Sequence, residues 1–473
     1  MPLTLKLFRL SIITACASIS LNVSAQSSEK YLNDSLPQSW IFDSRFDQTI
    51  PTDDDWWQTL NDSILNFLIK EGVKNNYNLL IASRRIEIAH NAMKMAQSSY
   101  YHAVNLNGGW SKNQTTGLVY DSHGKASRTS EFSLGFDLSW EIDLFGKIRA
   151  GVNQKKSQLQ ATKAEYAGVM VSLCGQIASN YIQLRTWQAE LAVANEHLDS
   201  QARIVKLTEA RKEAGLASDL DVSQALIVYN STKATIPSLE NSIHTAINSI
   251  ALLIGCYPHV VYNELSQPKA LPDYRQIVGT GIPMELLRRR PDVVQAEKEL
   301  ASYADAIGVA KKDFLPTLSL NGSIGTAAHS AKNLFKAESF TYSIAPTLSW
   351  TVFDGLQRKY RVAGAREQMQ IGIDNYNQIV MTAVEETDNA MFIYLTAIRQ
   401  INDIQEVIDQ SKRALDLSLD LYKRGLTSFN NVVTAQMSLL EYQDRSVVAK
   451  GTALSSLVKL YVALGGGWDV TRL

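Results

Sequence analysis

The stretch that decides the fold is FSLGFDLSWEIDL, from Phe132 to Leu144. Apolar side chains occupy every second position, and small or polar residues stand between them. This two-residue period is typical of a β-strand with one apolar and one polar face. Its 13 residues are many for a strand in a soluble domain. That length suits a tilted strand that crosses a bilayer.

From Gly146 the period changes to three and four residues, which indicates a helix packed along one seam. The seam consists of Leu173, Ile177, Tyr181, Leu184, Trp187, Leu191, Ala194 and Leu198. No proline occurs between Gly146 and Gly215. The sequence therefore predicts a single helix over about 146–214, which at 1.5 Å per residue is about 100 Å long.

The pattern recurs about 210 residues further on, so we infer an internal duplication. Three sets of residues match between the halves. They are Leu138-Ser139-Trp140 with Leu348-Ser349-Trp350, Gly215-Leu216-Ala217-Ser218 with Gly425-Leu426-Thr427-Ser428, and Ala251-Leu252-Leu253-Ile254-Gly255 with Ala463-Leu464-Gly465-Gly466. Each repeat is predicted to run helix, strand, strand, long helix, helix. The two shorter helices, of about 30–40 residues each, are expected to stack along the long one.

The predicted boundaries follow from these patterns. The first repeat covers 62–255, with strands near 104–112 and 131–144, and a break in its first helix is expected at Asn76 and Asn78. The second repeat covers 284–464, with strands near 317–326 and 340–353 and a long helix over 355–424. The remaining segments are a signal peptide at 1–25, an extended arm at 26–61, an irregular linker at 256–283 and a tail at 465–473.

Charge, residue spacing and hydropathy exclude several classes of function. The 473 residues carry a formal charge of −1, and the pI is about 6.7. No basic surface is expected, so we predict no nucleic-acid partner. The histidines and cysteines lack the spacing of a metal or nucleophile motif, so we expect no enzyme activity, cofactor or metal. No run of 18 apolar residues follows residue 25, so no transmembrane helix is predicted.

The N-terminus has the features of an export signal. Lys6 and Arg9 precede an apolar stretch, and Val23-Ser24-Ala25 forms a small-x-small cleavage site. A lipoprotein site that acylates Cys16 is the alternative. We favour cleavage after Ala25 because the apolar run before Cys16 is short and broken by Arg9.

Four strands cannot close a barrel, and an open sheet edge is not tolerated in lipid. Three copies would supply twelve strands, an even number wide enough to hold water. The predicted fold is therefore mainly α-helical with a membrane β-barrel contribution. A trimeric 12-stranded β-barrel would continue into a long α-helical coiled-coil tunnel, and its expected function is transport.

The chain resembles the TolC/OprM (NodT-type) family of outer-membrane efflux channels over nearly all of residues 36–468. Four motifs carry the resemblance: Trp56-Trp57-x-x-Leu60, the segment Leu138–Gly146, Leu287-Arg288-Arg289-Arg290-Pro291-Asp292, and Ala463-Leu464-Gly465-Gly466-Gly467-Trp468. The resemblance implies a homotrimer in the outer-membrane lipid of a Gram-negative bacterium, with its helices in the periplasm. It also implies a periplasmic membrane-fusion adaptor and an inner-membrane pump, of the RND type, as partners.

The family also implies where the functional residues lie. The adaptor-contact turns would be Gly215, Leu216, Ala217, Ser218, Gly425, Leu426, Thr427 and Ser428. The periplasmic gate would include Asp219, Asp221, Tyr422 and Asn431. Asn431 and Thr434 stand where some members carry carboxylates, which puts strong cation selectivity in doubt. Asp219 and Asp221 also suit a purely structural role, because acids in the first turn stabilise a helix N-terminus.

Several alternatives stay open from sequence. The chain could instead be the outlet of a type I protein secretion system, or a non-conducting adhesive surface trimer. Arg288, Arg289 and Arg290 could bind an anion, although solvated or salt-bridged positions beside a helix start are favoured. Trp110, Trp140 and Trp350 could mark the membrane interface or pack in tertiary contacts.

Overall fold

The computed structural model describes residues 55–116, 127–273 and 289–468. The chain divides into two units, Met1–Pro37 and Gln38–Leu473, and every described residue belongs to the second. The signal segment, Cys16, most of the expected arm, residues 274–288 of the linker and the end of the tail lie outside the described residues.

The first repeat contains four main helices and two strands. After a 3-10 helix at Trp56–Leu60 come α1 (Ser63–Asn75), α2 (Tyr77–Ser98), β1 (Ala103–Thr115), β2 (Ser127–Ile142), α3 (Lys147–Glu213) and α4 (Asp219–Leu253). Asn76 separates α1 from α2: its side chain accepts from the backbone N–H of Leu79 at 3.1 Å and donates to the carbonyl of Leu253 at 2.8 Å. One asparagine therefore caps α2 and ties it to the end of α4.

A short helix lies within the connection that the sequence predicts to be irregular. This helix, α5, spans Pro258–Leu265, with proline at its first position. Gln188 of α3 donates to the carbonyl of Leu265 at 2.7 Å and fixes its end. The expectation was wrong here because proline starts helices as well as breaking them.

The second repeat has the same order of elements. It contains α6 (Pro291–Lys312), β3 (Thr317–Ala328), β4 (Phe340–Ser349), α7 (Gln357–Lys423) and α8 (Phe429–Ala463). Corresponding helices have equal lengths: 67 residues for α3 and α7, 35 for α4 and α8, and 22 for α2 and α6. At 22 residues, α2 and α6 are shorter than the expected 30–40. These matched lengths support the inferred duplication.

The second strand-to-helix crossing differs from the sequence expectation. β4 ends at Ser349 rather than near 353, and α7 begins at Gln357. In the interval between β4 and α7, φ is 63° at Gly355 and 71° at Leu356, so both residues are in the left-handed region. Within the described sheet, β4 pairs only with β3, which begins at Thr317 opposite Ser349, so the residues from Trp350 to Val352 have no strand partner despite their apolar alternation. The left-handed turn then leads into α7.

The strands form one antiparallel sheet in the order β1-β2-β3-β4. The register pairs Trp110 with Phe132, Phe136 with Ile324, and Ile324 with Tyr342. Even-numbered positions therefore share one face, which is apolar, and odd-numbered positions share a polar face. Nine large apolar side chains on this face of the described strands are more than half exposed: Val104, Leu106, Trp110, Phe136, Ile324, Phe340, Tyr342, Ile344 and Leu348.

The largest buried cluster surrounds the middle of α3 and joins both repeats. Trp56 is fully buried and stacks on Tyr461 of α8, with ring centroids 5.1 Å apart. A side chain at Gly451 would overlap Thr186, so α8 approaches α3 closely there. The two ends of the described chain are thus packed into one core.

Arg290 fixes the start of α6. Its side chain is 9 % exposed and pairs with Asp292 at 2.7 Å and Glu386 of α7 at 2.8 Å. It also donates to the carbonyl of Ala463 at 3.2 Å. Arg290 is therefore a structural ion-pair residue that joins three helices, as favoured from sequence, and Arg288 lies outside the described residues.

The two repeats use the same tryptophan contact beside the sheet. The indole N–H of Trp140 donates to the carbonyl of Tyr100, and that of Trp350 donates to the carbonyl of Phe314, both at 2.9 Å. Each bond ties the end of a hairpin's second strand to the residues that follow the helix before that hairpin. In the described part of the chain, no helix combines the length and hydropathy needed to span a membrane.

Candidate functional site at the hairpin turns

Both helix hairpins end in the same turn. Gly215 and Gly425 have φ values of 72° and 74°. The next residue in each turn donates backward over five residues, Leu216 to Arg211 at 2.8 Å and Leu426 to Leu421 at 2.9 Å. This is the Schellman arrangement, which requires the left-handed residue that glycine supplies.

The first turn is closed by a reciprocal cap. Ser218 Oγ accepts from the backbone N–H of Asp221 at 3.3 Å, and Asp221 Oδ2 accepts from the backbone N–H of Ser218 at 3.2 Å. Asp219 is exposed and pairs with Lys212 across the turn, which raises the pKa of that lysine. Both acids therefore have a structural role at the start of α4.

The second turn lacks this cap. The side chain of Ser428 makes no capping hydrogen bond to α8. Asn431 Nδ2 donates instead to Thr427 Oγ1 at 2.7 Å, within the same turn. The equivalent turns thus share their glycine geometry but differ in how the following helix is secured.

The two hairpins meet at Tyr422. Its hydroxyl donates to Asp221 Oδ2 at 3.4 Å, and the guanidinium of Arg211 lies 4.8 Å from its ring centroid. Arg211 also donates to the carbonyl of Lys423 at 2.7 Å, and Phe429 packs 5.1 Å from Tyr422. Burial and the negative charge of Asp221 raise the pKa of the Tyr422 hydroxyl. The hydroxyl therefore remains a neutral donor at neutral pH.

The structure brings together Asp221 and Tyr422 of the predicted gate set, whereas Asp219 and Asn431 make contacts within their own turns. Sequence reasoning missed Arg211 and Phe429. A basic residue in the last turn of a helix is a common dipole partner, so Arg211 gave no distinguishing signal.

A second group of ionisable residues lies at the seam between α3 and α8. His197 of α3 contacts Gln443 of α8, which places these helix faces together. Partial burial and the nearby charge of Asp444 raise the pKa of Glu190 to about 7. The pKa of Asp444 is also raised by restricted access to water. This seam is therefore destabilised when its carboxyl groups are charged.

We expect the fold to gain stability as pH falls from 7 toward 4.5. A carboxyl group with a raised folded-state pKa binds its proton more tightly when folded, so its protonation favours folding within that window. The gain is lost as pH rises through 7. For a half-buried group it is on the order of 1 kcal/mol after solvent screening. Melting temperatures at pH 5.0, 6.0 and 7.5 should show this trend, and Glu190→Gln should weaken it. An equal pH trend in that variant would assign the effect to other groups.

No three His, Cys, Asp or Glu side chains converge as metal ligands within residues 55–116, 127–273 and 289–468. Cys174 and Cys256 are free thiols. The described site thus consists of two helix turns, joined by the hydrogen bond from Tyr422 to Asp221 and by the contacts of Arg211.

Comparison with known proteins assigns the family. The profile of the family described as "Outer membrane efflux protein" matches residues 68–256 and 282–466. These segments cover both repeats. The chain belongs to the outer membrane efflux protein family. Its members are channel proteins of the outer membrane, so the family resemblance inferred from the sequence is confirmed.

Relatives of this efflux protein match most of its length. The solvent efflux pump outer membrane protein SrpC of Pseudomonas putida is 29% identical over 416 residues, 87% of each chain. The cation efflux system protein CusC of Escherichia coli O6:H1 is 26% identical over 416 residues, 87% of this chain and 88% of that protein.

The fold has solved counterparts among efflux channels. The outer-membrane channel OprN is 27% identical, with a TM-score of 0.86 over 93% of this chain and 99% of that one. This likeness confirms the predicted fold class, a mainly helical chain with a four-stranded sheet.

Proposed function

We propose that this efflux protein is the passive exit duct of a tripartite system that exports small molecules across the outer membrane. Family membership over both repeats carries the proposal. Relatives are named for efflux of solvents and of cations. An inner-membrane pump, of the RND type, would supply the energy, and a periplasmic membrane-fusion adaptor would connect the two. We expect the duct itself to have no enzyme activity.

The duplication supports assembly into a homotrimer. In the second repeat, α6 packs against both long helices, α3 and α7. Its counterpart α2 packs on α3 and makes at most marginal contact with α7 within the described chain. A second copy would give α2 the neighbour that α6 already has.

The exposed side of α2 has the chemistry of a helix interface. Ile81, Ile88 and Met95 recur every seven residues and are 53%, 68% and 71% exposed. Residues at this spacing form one stripe along a helix. Ile88 is the twelfth residue of α2, and the twelfth residue of α6, Ser302, is only 3% exposed. A position covered in one repeat is thus open in the other.

The surface that would cover this stripe can be located the same way. Ser302 of α6 and Ala161 of α3 line the same groove, together with Ala89 of α2. Ala161 is the fifteenth residue of α3, and the fifteenth residue of α7 is Ile371, which is 55% exposed. We therefore place Ile88 of one protomer against Ile371 of its neighbour. Three such contacts would bring twelve strands together, enough to close a barrel that holds water.

The turns are the proposed adaptor contact. Leu216 and Leu426 are 66% and 70% exposed at the same position of each turn. Paired apolar side chains on an otherwise polar surface suit a protein partner. Introducing a negative charge with Ser428→Glu should weaken adaptor co-purification, whereas Ser242→Glu, on the side of α4, should not. Equal recovery of the adaptor with both variants would reject this contact.

The contact between Asp221 and Tyr422 is the proposed gate. It joins the two hairpins of one chain at the turns, where three copies would approach a common axis. Asp221→Ala should raise single-channel conductance or leak in planar bilayers, although it also removes half of the helix cap, worth about 1 kcal/mol. Tyr422→Phe removes only the hydroxyl that donates a hydrogen bond to Asp221 and leaves the helix cap intact. If the phenylalanine variant conducts like the parent, the aspartate serves only as a cap.

The function as a whole is tested in a deletion strain. We expect raised intracellular accumulation of some dyes, bile salts or metal ions, restored by the intact gene. Unchanged accumulation together with loss of a secreted protein would favour the outlet of a type I secretion system. Normal accumulation and secretion with reduced surface attachment would favour an adhesive trimer.

A further inference from the structure

The sheet separates its charges by face. The described strands contain five charged residues. Glu131, Asp137 and Glu141 occupy odd positions on the polar face, whereas Lys112 and Arg128 occupy even positions on the apolar face. Within the strands, the apolar face thus carries only cations and the polar face only anions.

The apolar face is also ordered along its length. From the helices outward, β1 presents Val104, Leu106, Gly108, Trp110 and then Lys112 on this face. Trp110 and Phe132 lie side by side, with centroids 6.2 Å apart, and the indole N–H of Trp110 donates to Ser130 Oγ at 2.9 Å. An apolar band therefore ends in an aromatic pair, the sequence of chemistry found where hydrocarbon meets headgroups.

Lys112 and Arg128 lie just beyond this aromatic pair. At about 3.3 Å per residue, Lys112 is roughly 7 Å past Trp110, and the Gln114–Arg128 pair roughly 13 Å past it. Arg128 Nε donates to Gln114 Oε1 at 2.8 Å, which directs the guanidinium along the rim of the sheet. Both cations are exposed. Both cations lie on the apolar face and beyond the aromatic pair, which is where lipid phosphate groups would lie if this face meets a leaflet.

We propose that Lys112 and Arg128 form a contact for a phosphorylated lipid headgroup at the outer rim of the sheet. The inference rests on the proposed function, in which the apolar face meets lipid and the strand hairpins point away from the periplasmic helices. The apolar band and Trp110 receive the acyl chains. The two cations then bind phosphate oxygens and prefer an anionic lipid to a zwitterionic one of equal chain length.

The test uses the full chain purified in a neutral detergent. Native mass spectrometry compares binding of dioleoyl phosphatidic acid with binding of dioleoyl phosphatidylcholine. Because a basic residue near an anionic lipid contributes roughly fivefold, we expect about a tenfold preference for phosphatidic acid after partial screening. The double variant Lys112→Gln/Arg128→Gln should reduce that preference below about twofold. The matched control, Arg203→Gln/Lys206→Gln on an exposed face of α3, removes the same charge and should keep it.

Three outcomes would overturn the contact: no preference in the parent chain, an unchanged preference in the Lys112/Arg128 variant, or equal competition by inorganic phosphate, which would indicate an anion site without lipid. Bilayer conductance is recorded from the same preparations. Conductance without lipid preference rejects only the lipid contact. Absence of conductance from both the parent chain and the Asp221→Ala variant rejects the duct itself.

Discussion

Ile88→Asp is expected to leave the chain as a monomer. Ile88 belongs to the exposed stripe of α2 that would pack against α7 of the next copy. Burying an isoleucine contributes about 1.5–3 kcal/mol, and three copies lose it together. The new carboxylate would also have to be desolvated at each interface without a partner. Size-exclusion chromatography with light scattering in detergent should show one chain per particle.

Ile88→Leu is the matched control, since it keeps an apolar side chain of similar volume and should remain trimeric. Circular dichroism should be the same for all three proteins because Ile88 is already exposed within the chain. A second test pairs Ile88→Cys with Ile371→Cys and adds a short bis-maleimide. Covalent trimers are expected on a denaturing gel. A trimeric Ile88→Asp protein would place the interface elsewhere.

Arg290→Gln should have the largest effect on the stability of the single chain. The guanidinium joins Asp292, Glu386 and the carbonyl of Ala463. Removing it breaks all three contacts at once, but Asp292 and Glu386 are 44% and 52% exposed and can be hydrated, so we expect a cost of about 2 kcal/mol. The expected result is a clearly lower melting temperature, measured by circular dichroism or intrinsic fluorescence.

Arg424→Gln provides the comparison. Arg424 pairs with Asp420 at 2.9 Å, but its side chain is 66% exposed. An exposed pair contributes only about 0–1 kcal/mol, so this variant should melt close to the parent. Similar losses for Arg290→Gln and Arg424→Gln would mean that burial does not strengthen the Arg290 contacts.

Periodicity revealed the long elements because each repeats one simple pattern. The alternation from Phe132 and the seam through Tyr181 each extend over many residues, so local irregularities do not obscure them. The positions that failed depend on a few residues. Pro258 can start or stop a helix, and the left-handed turn at Gly355 and Leu356 leaves the preceding alternation intact.

The site likewise contains residues that a local sequence pattern predicts and residues that depend on tertiary packing. Gly215 and Gly425 could be identified because a left-handed turn demands glycine and the motif occurs twice. The contact of Tyr422 with Asp221 spans 201 residues and depends on how two hairpins pack. No local pattern encodes it. Arg211, which covers the ring of Tyr422, has the same limitation.

The matched lengths of the helices fix the distance from the sheet to the turns. Because α3 and α7 both have 67 residues, the turns after them reach the same level. Deleting one heptad from α3 alone would shift its turn by about 10 Å relative to the other. Insertions and deletions should therefore persist only when α3, α4, α7 and α8 change together. The span of the duct can then evolve in steps, while each single-helix indel is removed by selection.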